Sequence, residues 1–344
     1  MAGVTIKDVA RVADVSVATV SRALNGHSNV VADVRERVHA VARSLKYSPN
    51  AAARSLSSRR THTLGVVLPD LYGEFFSELV RGIDQAARLS GMHLLVSSDH
   101  GHPEEQSAAL RTMVGRVDGL LVMSPYVAKP ALLAEDLSLL PVVLINTQAV
   151  ADGFAAISVD NYGGAVEMVE HLVKAGHRQI AFVAGPQENF DAHERLRGYR
   201  DALARRVPSS TEWIIPGDFD EASGYRAGQQ MLAATALPDA VFAANDMMAL
   251  GCLFAFAQAG INVPGDIAVA GFDDIPLARY VHPTLTTMRV NIADVGARAV
   301  AMLLESIAGG STGSPGTVRL DADLIVRESS LARTRRHVRR SDSS

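Results

Sequence analysis

The sequence predicts an N-terminal all-α helix-turn-helix head followed by an α/β body of two Rossmann-like lobes. Residues 5–25 hold two short amphipathic stretches joined by a tight break, and from Thr63 onward apolar, β-rich runs alternate with helical ones. Asp, Asn and Ser cluster at the ends of those apolar runs. In open α/β sheets that is where ligands bind.

In the head, Ile6, Val9, Ala10 and Ala13 recur at the i, i+3, i+4, i+7 spacing of one helix face. Thr5, followed three residues later by Asp8, is a capping-box start. After the break at Asp14-Val15-Ser16, Ser16 is placed to cap a second helix whose Val20 and Leu24 face the first. A third helix carries Val34, Val38, Val41 and Leu45, started by Asp33 with Glu36 and stopped before Pro49. Three helices of this length enclose one small core. Spacing alone fits any helical hairpin, but a helix-turn-helix lays its second helix in the DNA major groove. The stretch Ala51-Ala52-Ala53 to Leu56 is helix-prone yet too short to hold alone in water, and Ser57 to Thr61 reads as a flexible joint. The expected boundaries are a head at 1–49, a hinge and linker at 50–61, a body at 62–330 and a disordered basic tail at 331–344.

In the body, strands are expected at 64–68, 93–96, 119–122 and 142–145, then at 180–183, 240–243 and 267–271, with helices at 75–90, 162–175, 194–205, 221–234 and 247–260 between them. Continuous apolar strands alternating with helices imply parallel sheets covered on both faces. The two sets place one sheet on either side of a junction near Asp160, with strand ends facing a cleft that closes by hinging. Gly309 to Gly316 is expected as a flexible loop before a last strand at 317–320. The Arg- and Ser-rich stretch from Arg327 to Ser344 lacks leucine heptads and is expected to be disordered, so a tetramerising coiled coil is not predicted.

Charge is unevenly spread. Through Arg60 ten basic residues face four acidic ones, about +6, which leaves about −10 for the remainder of a chain whose total is −4. A basic head on an acidic body is the footprint of phosphate binding by one part only. The single cysteine, Cys252, rules out an intramolecular disulfide and reads as a buried thiol. With no leading apolar stretch and no run of transmembrane length, a cytoplasmic protein without a membrane partner is expected.

The chain closely resembles the LacI/GalR family of bacterial transcription repressors. The matching residues are Thr5-Ile6-Lys7-Asp8-Val9-Ala10, Ser16-Val17-Ala18-Thr19-Val20-Ser21-Arg22, Tyr47-Ser48-Pro49-Asn50 and Ala53-Arg54-Ser55-Leu56. In the body they are Pro69-Asp70-Leu71-Tyr72, Phe75-Phe76, Arg195-Leu196-Arg197-Gly198-Tyr199, Asn245-Asp246 and Gly271-Phe272-Asp273-Asp274. The resemblance implies a periplasmic-binding-protein-like body and a homodimer on a near-palindromic double-stranded DNA operator. It implies base-edge contact by Val17, Ala18 and Arg22, of which Arg22 suits guanine O6 and N7. Val17 lies near the core-facing edge of its helix, so packing is the alternative. Thr5, Ser16, Ser21, Asn25, Asn50 and Ala53 complete the DNA-contacting set, with Leu56 as a wedge in the minor groove from a hinge helix formed on the operator.

For the effector, the resemblance makes Arg195, Asn245 and Asp273 polar anchors and Phe219 a stacking aromatic, with Phe75, Phe76 and Asn146 from the first lobe. Core packing is the plain alternative for each aromatic, and Asp274 reads equally as a structural carboxylate. A sugar inducer is the expectation, and a nucleobase or nucleoside acting as corepressor the alternative. One departure bears on this: Gly73-Glu74 replaces the family's Asn-Pro before the paired aromatics, and Glu74 is expected to reshape the cleft mouth. No phosphate loop or His-Glu-x-x-His helix points to an enzyme. Asp99-His100-Gly101-His102 lacks a third and fourth ligand nearby, so no metal and no cofactor is expected, and His177 reads as a helix-end residue.

Overall fold

Among the described residues, three helices build the first of two units, Met1–Thr61, and the parallel sheets lie in the second, His62–Ser344. The computed structural model describes residues 4–26, 29–47, 60–126, 140–147, 154–309 and 316–331. The expected hinge helix, the loop at 310–315 and the tail from 332 lie outside the described residues.

In the first unit, α1 (Ile6–Ala13) begins where the Asp8 carboxylate accepts from the Thr5 N–H at 3.0 Å and the Thr5 hydroxyl at 2.7 Å. It ends at Asp14, whose left-handed backbone (φ 51°) turns the chain. In α2 (Val17–Leu24) the Ser16 hydroxyl caps the helix by accepting from the Thr19 N–H at 3.1 Å. The third helix, α3 (Ala32–Ser44), starts one residue before the expected Asp33, with Val31 at the cap and Asp33 inside the first turn, where a carboxylate favours the helix dipole. Val9, Ala13, Val20, Ala23 and Val38 are fully buried, while Leu24, Val34, Val41 and Leu45 pack around them half-buried.

The body holds a six-stranded parallel sheet in the order β11-β5-β4-β3-β1-β2. Its strands are β1 (Thr63–Leu68), β2 (His93–Ser98), β3 (Gly119–Met123), β4 (Val142–Ile145), β5 (Ala155–Val159) and β11 (Thr317–Leu320). A four-stranded parallel sheet follows in the order β7-β6-β8-β9, from β6 (Ile180–Val183), β7 (Trp213–Ile215), β8 (Ala240–Ala243) and β9 (Ala268–Ala270). A small antiparallel pair joins β10 (Thr287–Arg289) to β12 (Asp323–Ile325). Covering helices are α4 (Glu74–Leu89), α5 (Pro103–Met113) and α10 (Ile292–Ile307) on the first lobe, and α6 (Asn161–Lys174), α7 (Phe190–Arg206), α8 (Glu221–Leu232) and α9 (Asp246–Gln258) on the second.

The lobes do not simply divide at Asp160. The chain leaves the first lobe there, returns after β10 so that α10 packs on α4 and β11 extends the first sheet beside β5, then crosses again to β12. Two crossings are bonded to each other: the Asp160 N–H donates to the Leu320 carbonyl at 2.8 Å, and Arg319 pairs with the Asp160 carboxylate. Among the described residues the last strand is therefore β12, not the one at 317–320. Arg327 is also ordered. It donates to Asp274 and to the Leu285 carbonyl, so the expected disorder does not begin at 327.

Helices α8 and α9 meet through glycines. A Cβ on Gly251 would lie 2.1 Å from the Glu221 carbonyl oxygen, and one on Gly224 would lie 2.1 Å from that of Met248. Gly251→Ala is accordingly expected to lower stability by about 1–3 kcal/mol. Urea denaturation of the full chain checks this, and an unchanged midpoint would mean the helices part without strain.

Candidate nucleic-acid interface and ligand cleft

On the head, the N-terminal turn of α2 faces solvent. Ser16, Val17 (42% exposed), Ala18, Arg22 and Asn25 are exposed and Ser21 is half-buried, so Val17 is not a packing residue here. Local bonds occupy part of this set. The Ser16 hydroxyl caps α2, the Asn25 amide donates to Ser21 Oγ at 3.4 Å, and Thr5 is bonded to Asp8. Arg11 pairs with Asp8 at 2.9 Å, and Lys7 is exposed on the same helix. Asn50, Ala53 and Leu56 lie outside the described residues.

In the body, a cavity of about 320 Å³ lies where the strands of both sheets end. It falls at the low end of the roughly 300–1,000 Å³ typical of small-molecule sites. The first lobe lines it with Asp70, Tyr72, Phe75, Phe76, His100 and Tyr126, and the second with Asp191, Arg195, Phe219, Asn245 and Asp273. Phe75 and Phe76 meet edge to face at 5.4 Å.

Arg195 is the hub. It is 4% exposed, and its guanidinium lies 3.9 Å from the centre of the Phe272 ring. Nε donates to Asn161 Oδ1 at 2.8 Å, Nη1 donates to the Ala244 carbonyl at 2.6 Å, and Nη2 sits 3.1 Å from Asp273 Oδ1. That Asp273 oxygen is paired as an ion but accepts no aligned hydrogen bond. Asp191, four residues before Arg195 on α7, accepts from Asn146 Nδ2 at 3.0 Å and Asn161 Nδ2 at 2.8 Å. Burial pushes the Asp191 and Asp273 carboxyls up to about 6, although the Arg195 charge pulls each the other way.

Strained backbone carries two of these groups. Phe219 (φ 65°) and Asp273 (φ 112°) lie in the left-handed region, which costs such residues on the order of 1–3 kcal/mol and persists only where neighbours enforce it. Asn245 enforces the first: its Nδ2 donates to the Phe219 carbonyl at 2.8 Å while its Oδ1 caps α9 by accepting from the Met248 N–H at 3.0 Å. Asp246 enforces the second by accepting from the Ile275 N–H at 3.0 Å and the Thr287 hydroxyl at 2.6 Å. Burial drives its carboxyl well above the ordinary range.

The structure thus brings Phe75, Phe76, Arg195, Phe219, Asn245 and Asp273 together around the cavity. Asn146 does not line it; it stands behind, holding Asp191. Glu74 does not line it either, because its carboxylate accepts from the Leu277 N–H at 2.9 Å on the second lobe. Asp274 faces Arg279, Arg289 and Arg327 instead. Burial raises its pKa, but the bonds from Arg327 and Arg289 outweigh that and hold it below the ordinary value. Cys252 is buried, bonded to the Gly224 carbonyl at 3.2 Å, and burial pushes its thiol up to about 12. Among the described residues no group of three or more His, Cys, Asp or Glu is placed to hold a metal ion, and no helix is long and apolar enough to cross a membrane.

Asp191 and Tyr126 escaped the sequence reading. The i, i+4 spacing of Asp191 and Arg195 on one helix was the available signal for the first. Tyr126, three residues past the end of β3, could have been found as a strand-end residue.

The raised carboxyls make a pH dependence. A folded-state pKa near 6 against about 3.8 unfolded means the folded protein holds the extra proton between those values, so stability is lost as pH rises through that window. Asp191→Asn removes the buried charge. Its stability relative to wild type is expected to improve by about 2 kcal/mol between pH 4.5 and 7.5, read from urea midpoints. A gap that does not change with pH would show Asp191 titrating normally.

Two family models match the chain: bacterial regulatory proteins, lacI family, over residues 5–50, and a periplasmic binding protein-like domain over residues 169–330. Over 331 residues the chain is 35% identical to the HTH-type transcriptional repressor CytR of Escherichia coli (strain K12), spanning 95% of this chain and 96% of that protein. It is similar to the lac repressor dimer bound to operator and the anti-inducer ONPF, with TM-score 0.85, 32% identity, and 96% and 100% of the two chains covered. A transcriptional regulator CelR–cellobiose complex matches with TM-score 0.69 and 31% identity over 95% of this chain and 99% of that one.

Proposed function

We propose that this chain, which belongs to the lacI family of DNA-binding repressors, releases a near-palindromic operator when an uncharged sugar occupies its cleft. Proteins of this family bind operator DNA and small-molecule effectors and form dimers, and the relatives named above are transcriptional repressors or regulators. On this reading the chain works as a homodimer in the cytoplasm. Residues 1–49 read the operator, 50–61 form the hinge, and 62–330 sense the effector.

The observation that carries the sugar reading is the Arg195–Asp273 pair. It sets a guanidinium donor beside a carboxylate oxygen that lacks an aligned hydrogen bond, at the edge of an aromatic-lined cavity. One hydroxyl of a vicinal diol accepts from Arg195 while the other donates to Asp273, and Phe219 offers an apolar face to the ring. Asn245 is committed at both ends of its amide and acts by holding Phe219. The cellobiose complex of the CelR regulator supports a carbohydrate. The three phenylalanines also suit a purine face, which keeps a nucleoside as the second reading.

Fluorescence anisotropy on a palindrome from upstream of the chain's own coding region, at fixed salt, tests both halves. Arg22→Ala is expected to weaken operator binding by about 1–3 kcal/mol and relax selectivity at one base pair. A sugar from a panel of mono- and disaccharides is expected to weaken wild-type binding about tenfold or more. Asp273→Asn, which keeps a polar partner beside the buried Arg195, is expected to retain operator affinity without sugar and to weaken the response. The response also fades as pH falls below about 6, because protonation removes the Asp273 charge to which the sugar hydroxyl donates. A response only to nucleobases or nucleosides, or tighter binding with effector, would replace the sugar inducer by a corepressor.

A further inference from the structure

Two hydrogen bonds tie the lobes together beside the cleft, and both spring from one three-residue turn. The Tyr72 hydroxyl donates to the Glu221 carboxylate at the start of α8, and the Leu277 N–H donates to the Glu74 carboxylate at 2.9 Å. Tyr72 and Glu74 belong to the first lobe; Glu221 and Leu277 belong to separate segments of the second. The turn is held ready for both, because Asp70 Oδ1 accepts from the N–H groups of Leu71 (2.6 Å) and Tyr72 (3.0 Å). Gly73 between them adopts φ 89°, a conformation that other residues rarely take.

Other bonds between the lobes lie deeper. Asn146 to Asp191 (3.0 Å) and the Phe190 N–H to the Pro125 carbonyl (2.9 Å) join groups that are largely buried. Tyr72 is 59% exposed and lines the cavity, so its bond faces water on one side and the ligand's path on the other. Exposed hydrogen bonds exchange with water far more readily than buried ones, so the bonds at the turn open first.

We propose that Tyr72 and Glu74 form a two-point strap that holds the lobes closed across the cleft mouth and must release before the effector enters. This rests on the cavity being the effector site. The strap converts the Gly73-Glu74 departure into a function, since a proline at 74 offers no carboxylate for Leu277. Both bonds act on the same lobe-to-lobe displacement, so breaking one loads the other, and their strengths are coupled rather than additive.

Amide hydrogen exchange of the full-length protein without effector tests this, read at Leu277 and at β8 as an internal control. Glu74→Ala is expected to release Leu277 directly. The decisive variants are Glu221→Ala and Tyr72→Phe, neither of which removes the group bonded to Leu277. Each is expected to speed Leu277 exchange roughly threefold or more with β8 unchanged. Leu277 exchange at the wild-type rate in both variants would overturn the strap and leave two independent surface contacts. The measurement uses no sugar and no DNA, so failure of the strap and failure of the sugar reading are read separately.

Discussion

The burial of one guanidinium organises the second lobe. Removing one partner of a buried charge typically costs about 3–5 kcal/mol. The partners of Arg195 are drawn from different parts of the chain: Asn161 from α6, the Ala244 carbonyl beyond β8, and Asp273 and Phe272 from the loop after β9. Satisfying Arg195 therefore fixes those strand-end segments relative to α7, and they are the segments that line the cavity. Two carboxylates near one cation leave the cleft with an excess of buried acid. Burial pushes both carboxyls up to about 6, and the Asp273 charge adds to the shift at Asp191, so an anionic effector would add to the strain.

A second layer of buried polar groups holds the first in place. Asp246 is fully buried, and a Cβ on Gly271 would fall 2.1 Å from its Oδ1, so that glycine is required by the approach of the carboxylate. The bonds from Asp246 to Ile275 and Thr287 clamp the loop that holds Asp273 at φ 112°. Asn245 does the same for Phe219. Adjacent residues at one helix start thus fix both an aromatic and an acidic element of the cleft, which is how a strained site persists on a rigid scaffold.

Periodicity and apolar runs made the head helices, seven strands and five covering helices legible, since each is encoded by contiguous residues. What escaped depends on residues far apart in sequence. β5, β7, β10 and β12 are short or only partly buried, and β11 was recognised as a strand without its place beside β5. The return of α10 to the first lobe hinges on Gly82 and Gly296, where α4 and α10 touch backbone to backbone, and no local pattern announces such a contact. In the cleft, motif resemblance located Phe75, Phe76, Arg195, Phe219, Asn245 and Asp273 but not Asp191 or Tyr126, while the roles of Asn146 and Glu74 followed only from their partners at Asp191 and Leu277. Arg327 looked like the start of a basic tail because its acidic partner, Asp274, is 53 residues away.

The division of labour between lobes bears on how a ligand could shift the protein. The buried charged groups of the cavity, Arg195, Asp191 and Asp273, belong to the second lobe, whereas the first contributes Asp70 and an aromatic surface through Tyr72, Phe75, Phe76 and Tyr126. Contacts confined to the second lobe are the same whether the cleft is open or closed, so they supply affinity without bias. An equilibrium shifts only by the difference in affinity between its states. On the proposed reading, that difference comes from the walls of the first lobe. On the same reading, the polar hub sets what binds, and the aromatic wall sets how strongly binding moves the lobes.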